Sequence, residues 1–183
     1  MKAYFIITLL ISLTNLMAED ASKLFKHSPY IMAKGCTICH TSKPNGEVDP
    51  DAFVAEQPDL CYKCHAPKDT KPVVHAGLSS GCTMCHSPHQ SSVKPLLKEN
   101  IETTCNTCHD AHGQDLAVKH SALKMKKSCV RCHDPHSSEE PKLLKAETTK
   151  LCVYCHTGIS KGMDNPNNTV HAAVYMGCQD CHA

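Results

Sequence analysis

Every cysteine of this 183-residue chain belongs to a Cys-x-x-Cys-His motif, and the motif occurs seven times. The pairs are Cys36 and Cys39, Cys61 and Cys64, Cys82 and Cys85, Cys105 and Cys108, Cys129 and Cys132, Cys152 and Cys155, and Cys178 and Cys181. Two cysteines three residues apart lie on one helical turn, where their sulfurs can form thioethers with the two vinyl groups of a single haem. The sequence therefore predicts seven covalently attached c-type haems.

The histidine that ends each motif is predicted to be the proximal ligand of that haem iron. These ligands are His40, His65, His86, His109, His133, His156 and His182. Zinc sites and redox-active dithiols also use Cys-x-x-Cys, and 14 cysteines in an exported chain would otherwise suggest disulfides. Zinc does not require a histidine directly after the second cysteine, and a thioredoxin-like site needs only one motif. The repeated spacing therefore favours haem.

Seven further histidines equal the predicted irons in number, as bis-histidine ligation of every haem requires. They are His27, His75, His89, His112, His120, His136 and His171, all distal candidates. Of these, His89, His112 and His136 lie three residues after a proximal histidine, on the proximal side of that haem, so we expect them to ligate neighbouring haems. The other four lie seven or nine residues before a cysteine pair, far enough to serve their own haem or another.

A surface role for these histidines and ligation by methionine are the two alternatives at the distal positions. A surface role is the ordinary interpretation of any single histidine. Methionine is also a haem ligand, and Met32, Met125 and Met176 each lie five residues after an upstream histidine. We interpret these methionines as packing against porphyrin faces, because the histidines suffice for every iron.

The elements that position these ligands are predicted to be short. Helices are expected over the motifs and should end near Pro88 and Pro135, because proline disfavours continuation of a helix. Segments 41–51 and 162–169 are rich in turn residues, and no strand with a period of two is recognisable. The predicted fold class is mostly α with much irregular loop and few or no strands, either compact or elongated. Haem is expected to form most of its core.

Residues 1–18 have the layout of a secretory signal peptide, with Lys2, an apolar run too short to span a bilayer comfortably, and Ala18 before an acidic pair. An uncleaved anchor is the alternative, because Leu16 is bulkier than the usual small residue near a cleavage site. We expect export to the periplasm, with an extracellular location as the alternative. The formal net charge of +1 argues against a nucleic-acid partner.

The four upstream histidines start repeats at residues 27, 75, 120 and 171 within one predicted haem domain, residues 19–183. In the second and third repeats a Leu-Leu-Lys sequence begins ten residues after His86 and after His133. The first repeat has two extra residues there, and no histidine lies three residues after His40. The fourth repeat contains one motif.

On the evidence of segments 75–109 and 120–156, the chain resembles the doubled-CxxCH family of multihaem c-type cytochromes. The resemblance implies a periplasmic or extracellular electron carrier, with haems packed in a row and little regular secondary structure. It also implies that His75, His89, His120 and His136 occupy that family's spare-histidine positions. The first and fourth repeats depart from the family pattern, so the resemblance does not assign the ligands of the terminal haems.

The predicted function is electron transfer without substrate chemistry, because two histidines on each iron leave no open coordination position. We therefore expect no catalytic residues. The alternatives are a multihaem reductase of nitrite, hydroxylamine or a sulfur oxyanion with one open haem, and a protomer of an extracellular cytochrome filament. The expected partners are redox proteins, with a quinol dehydrogenase or another cytochrome as donor and a reductase or outer-membrane cytochrome as acceptor. Membrane contact is expected only if the leader is retained.

Overall fold

The computed structural model describes residues 24–110 and 118–182. They form two compact units. The first unit contains residues 24–56 and 85–100, and the second contains 57–84, 101–110 and 118–182. The predicted signal peptide and the distal candidate His112 lie outside the described residues. Within those residues no helix is both long enough and apolar enough to cross a membrane.

The helices of the described chain are short, and most of them carry part of a motif. They are α1 (Ser28–Ile31), α2 (Cys36–Cys39), α3 (Asp59–Tyr62), α4 (Ile101–Asn106), α5 (Cys129–Cys132), α6 (Thr148–Cys155) and α7 (Thr157–Met163). Turns of 3₁₀ helix cover Ala76–Ser80, Cys82–Met84, Ser121–Lys124, Pro141–Leu143, Ala172–Tyr175 and Cys178–Asp180. The longest helix, α6, begins after Glu147, whose carboxylate accepts hydrogen bonds from the N–H groups of Thr149 and Lys150 at 2.8 and 3.1 Å. Short helices over the motifs are thus confirmed.

Six short strands pair into three antiparallel sheets of two strands each. They are β1 (Phe25–Lys26) with β5 (Gln90–Ser91), β2 (His40–Ser42) with β3 (Val48–Phe53), and β4 (Val73–Val74) with β6 (Ser137–Ser138). Four of these strands have two residues, too short to show an alternating pattern. The longer hairpin of β2 and β3 spans the segment 41–51, whose turn residues did not indicate strands. The predicted fold class, helical and irregular with few strands, is confirmed.

The interior of the described chain contains little apolar surface. Leu97, with 8% of its surface exposed, is the single buried apolar side chain among the described residues. The buried polar residues are Ser91, Ser128, Ser137 and Ser138. Large apolar side chains such as Tyr154 and Met176 are 84% and 76% exposed. The polypeptide described here therefore builds no apolar core of its own, as expected of a chain that folds around prosthetic groups.

Candidate haem sites

Each Cys-x-x-Cys-His motif forms about one helical turn. In six of the seven motifs the N–H of the histidine donates a hydrogen bond to the carbonyl of the first cysteine. These bonds run from His40 to Cys36, His65 to Cys61, His109 to Cys105, His133 to Cys129, His156 to Cys152 and His182 to Cys178. The local backbone therefore has the conformation that the thioether chemistry requires.

None of the 14 cysteines is in a disulfide, and each cysteine residue is at least partly exposed. A thiol that must react with a vinyl group has to be reachable, so this exposure fits covalent attachment. Among the described residues, no three or more His, Cys, Asp or Glu side chains cluster so that they could hold a metal ion. Six of the described histidines lie in pairs instead.

Three pairs of imidazole rings face each other at nearly the same distance. The ring centres of His40 and His89 are 6.1 Å apart, those of His75 and His109 are 6.0 Å apart, and those of His120 and His156 are 6.1 Å apart. The angles between the ring planes are 19°, 30° and 49° respectively. In every pair one histidine ends a motif and the other is a distal candidate.

The separation of these rings fits a haem iron between them. A metal–imidazole bond is about 2 Å long, and the nitrogen lies about 1 Å from its ring centre, so two trans imidazoles place their centres about 6 Å apart. The pairs His40–His89, His75–His109 and His120–His156 would hold the iron, and the cysteines of the first, fourth and sixth motifs would hold the porphyrin.

The pairs also indicate which motif each of three distal candidates faces. His89, which follows the third motif, lies beside His40 of the first motif. This agrees with the expectation that a histidine three residues after a proximal one serves a neighbouring haem. The sequence left the targets of His75 and His120 open, and each faces the second motif of its own repeat.

Short strand pairs hold distal candidates next to one another. Pairing of β1 with β5 brings the N–H of His27 to the carbonyl of His89 at 2.8 Å. Pairing of β4 with β6 brings the N–H of His75 to the carbonyl of His136, also at 2.8 Å. An upstream histidine thus lies beside a downstream one in both sheets.

The four upstream histidines share one local conformation. His27, His75, His120 and His171 are extended, and each directly precedes a helical turn. The Nδ1 of His171 accepts a hydrogen bond from the N–H of Ala173 at 3.2 Å. For His27, His136 and His171 the iron that each serves stays a prediction, as does the role of His112. Met32, Met125 and Met176 are exposed.

Backbone carbonyls orient two of the histidines that end motifs. Sequence reasoning did not find these carbonyl contacts. The Nδ1 of His86 lies 3.1 Å from the carbonyl of Pro95, and the Nδ1 of His133 lies 2.8 Å from that of Lys142. When such a carbonyl accepts the Nδ1 proton, Nε2 is left to bind iron, and the ligand becomes more basic. Each acceptor lies nine residues after its histidine and directly before the Leu-Leu-Lys sequence. The repetition of that sequence is the signal that could have revealed these contacts.

A carboxylate lies beside one distal candidate. Asp134 accepts hydrogen bonds from the N–H groups of His136 and Ser137 at 2.9 and 3.4 Å, and Lys71 lies 4.0 Å away. Burial acts to raise the pKa of Asp134, but these two hydrogen bonds and the charge of Lys71 together hold it below its usual value. The turn that carries His136 is therefore fixed by an ionised side chain.

Side chains also connect the second motif of one repeat to the first motif of the next. Gln57 accepts a hydrogen bond from the N–H of Thr83 at 3.1 Å, and its amide donates to the Thr83 hydroxyl at 3.0 Å. Glu102 accepts from the N–H of Ser128 at 2.9 Å, and this bond holds the Glu102 pKa below its usual value. We call these two contacts the repeat junctions. They link the helical turn of one motif to that of the next.

Comparison with known proteins gives one family. The family model of the doubled CXXCH motif matches residues 27–70, 75–115 and 120–161, which together cover more than half of the chain. A search of curated proteins found no matching sequence. Each matched segment begins at an upstream histidine and contains two motifs.

Proposed function

Because this chain belongs to the doubled CXXCH motif family, we propose that it is an electron-transfer cytochrome that carries seven c-type haems, each with two histidine ligands. The family and its motifs indicate a multihaem c-type cytochrome with covalently bound haem. The number of haems, their ligation and the electron-carrying role are the proposal.

The observation that carries the proposal is the set of three imidazole pairs with ring centres 6.0–6.1 Å apart. Each pair joins a motif histidine to one of the seven spare histidines. Two imidazoles on one iron leave no coordination position for a substrate, and they favour a low reduction potential relative to a histidine–methionine pair. At the three irons that these pairs would bind, the arrangement supports an electron carrier over a reductase.

The chain's own residues provide what electron transfer needs. Bound haem supplies a reversible one-electron couple. In this proposal the paired strands bring ligands of different haems onto adjacent backbones, and the repeat junctions link the turns of successive motifs. Since electron tunnelling falls steeply with distance, this close spacing is the property that a carrier requires.

We further propose export to the periplasm, supported by the signal-like residues 1–18 and by the attachment of c-type haem outside the cytoplasmic membrane. The proposed partners are redox proteins, with a quinol dehydrogenase or another cytochrome as donor. A reductase or an outer-membrane cytochrome is the proposed acceptor. A pull-down with a candidate donor would have to recover the haem-loaded protein. The reduced donor would also have to reduce that protein in solution.

The test of the proposal is a haem count combined with carbon monoxide binding. The intact mass and a pyridine haemochrome assay of the purified protein should give seven haems per chain. The spectrum of the reduced protein should show low-spin bands that carbon monoxide does not change. A count other than seven would overturn the proposed stoichiometry, and a fraction sensitive to carbon monoxide would indicate an open haem and favour a reductase.

A further inference from the structure

The loops that follow the first motif of the second and third repeats have the same hydrogen bonds at equivalent positions. These bonds are Ser87 N–H to Leu96 O at 2.7 Å, Lys98 N–H to Cys85 O at 2.9 Å, Asp134 N–H to Leu143 O at 2.8 Å, and Lys145 N–H to Cys132 O at 2.9 Å. In both loops this folding carries a carbonyl, of Pro95 or of Lys142, back to the ring of the proximal histidine.

The loop of the first repeat closes in the same way but is folded differently inside. The N–H of Val54 donates to the carbonyl of Cys39 at 3.0 Å, which is the counterpart of the outer bond in the other two loops. Between these residues the chain forms the hairpin of β2 and β3, with Gly46 at φ 85° in the turn. The two extra residues of this repeat are thus absorbed in a hairpin.

This hairpin leaves the ring of His40 without the carbonyl that its counterparts have. In the register of β2 and β3, His40 is opposite Phe53, and the two ring centres are 4.9 Å apart. The Nδ1 of His40 is buried and has no hydrogen-bond partner. With Nε2 directed to iron, Nδ1 would carry a proton that no oxygen of residues 24–110 or 118–182 accepts.

We propose that His40 gives the haem attached at Cys36 and Cys39, the first haem, a higher reduction potential than the haems of His86 and His133. A proximal imidazole that donates its Nδ1 proton to an acceptor pushes more electron density to the iron and stabilises the oxidised state. His86 and His133 have such acceptors, and His40 has none. This inference rests on the proposed electron-carrying function.

The consequence for that function is a direction of electron flow. Of the three haems compared, the first one is the site where electrons collect. Each transfer oxidises one iron by one electron and reduces another by one, so no further reactant is needed. Proteins that withdraw electrons should therefore dock near the hairpin of β2 and β3.

The test is a redox titration of the full haem-loaded protein, followed by NMR signals of the haem methyl groups. The first haem is identified by dipolar contacts of its signals with the Phe53 ring. We expect its midpoint potential to be the highest of the three. A midpoint equal to or below those of the haems of His86 and His133 would overturn the inference.

Two substitutions at Phe53 separate hydrogen bonding from packing. Phe53→Gln offers an amide oxygen to the Nδ1 proton of His40 and should lower one midpoint alone, that of the haem whose signals contact the Phe53 ring in the wild type. Phe53→Leu, the matched control, removes the ring without adding an acceptor and should leave the first haem highest. No change in Phe53→Gln, or an equal fall in both variants, would contradict the inference. Carbon monoxide binding or a haem count other than seven would instead contradict the proposed function, so the two failures can be told apart.

Discussion

The loop after the first motif differs between the first repeat and the next two, although all three loops close with the same outer hydrogen bond. In the second and third repeats a buried serine, Ser91 or Ser138, organises the loop interior by donating to the carbonyl of Leu97 or Leu144. In the first repeat the exposed Asn45 holds a hairpin turn through Glu47 instead. Outer closure thus keeps the motif turn in place, while the loop interior decides which groups surround the histidine that ends the motif.

The repeat junctions show a second difference of the same kind. Glu102, a carboxylate, accepts the N–H of Ser128 after the second repeat, whereas Gln57, an amide, accepts that of Thr83 after the first. The separation along the chain is 26 residues in both cases. A side chain thus accepts a backbone N–H at both junctions, with a charged acceptor in one place and a neutral one in the other.

Removing haem, which both kinds of loop are proposed to surround, should have the largest effect. Protein made without haem attachment should be largely unfolded, because Leu97 is the single buried apolar side chain of the described residues. Far-ultraviolet circular dichroism during thermal unfolding provides the measurement. A cooperative transition in the haem-free protein would contradict the idea that haem forms the core.

The next largest effect is expected from the buried serine of the third repeat. Ser138→Ala should lower the free energy of unfolding of the haem-loaded protein by about 1–3 kcal/mol, because the carbonyl of Leu144 and the N–H of Glu140 lose their partner. The matched control is Asn45→Ala in the exposed hairpin, which should cost about 0.5 kcal/mol or less. Equal losses in denaturant titrations of both variants would contradict the difference drawn between the loops.

The smallest effect is expected at the charged junction, and it should depend on pH. Since the folded-state pKa of Glu102 lies below its unfolded value of 4.5, its contribution is fully present above that value and is lost as pH falls through the folded pKa. Glu102→Gln should therefore lower the free energy of unfolding by about 0.5–1 kcal/mol at neutral pH. Wild type and variant should converge in acid.

The neutral junction supplies the control for this pH dependence. Gln57→Ala removes a hydrogen bond that carries no charge, so the stability difference from wild type should stay constant across the same pH range. Denaturant titrations at neutral and acidic pH provide the measurement for both variants. A difference for Glu102→Gln that does not shrink in acid would show that the carboxylate charge contributes nothing.

The sequence predicted the attachment chemistry and the short motif helices, because both depend on local spacing. Cys129, Cys132 and His133 lie on one turn in any helical conformation, so their motif is informative without a fold. The same locality allowed the expectation that His89 faces away from its own haem. The buried Ser91 and Ser138 recur at one position of the repeat, and that recurrence was a usable signal.

The remaining features depend on contacts between distant residues that leave no local pattern. His75 had enough intervening chain to reach either haem of its repeat, and only the folded chain brings it to His109. Strands such as β4 and β6 are two residues long and exist because another segment lies beside them. The carbonyl of Pro95 is present in any sequence, so its position beside the His86 ring is visible only in the structure.

The most direct test is His89→Ala, because we propose that His89 follows the third motif but ligates the haem of the first. The substitution should open the iron of the haem attached at Cys36 and Cys39, which would then bind carbon monoxide in the reduced state. NMR signals of the carbon monoxide complex should show dipolar contacts with the Phe53 ring. Carbon monoxide bound at the haem of Cys82 and Cys85, or not bound at all, would contradict the account.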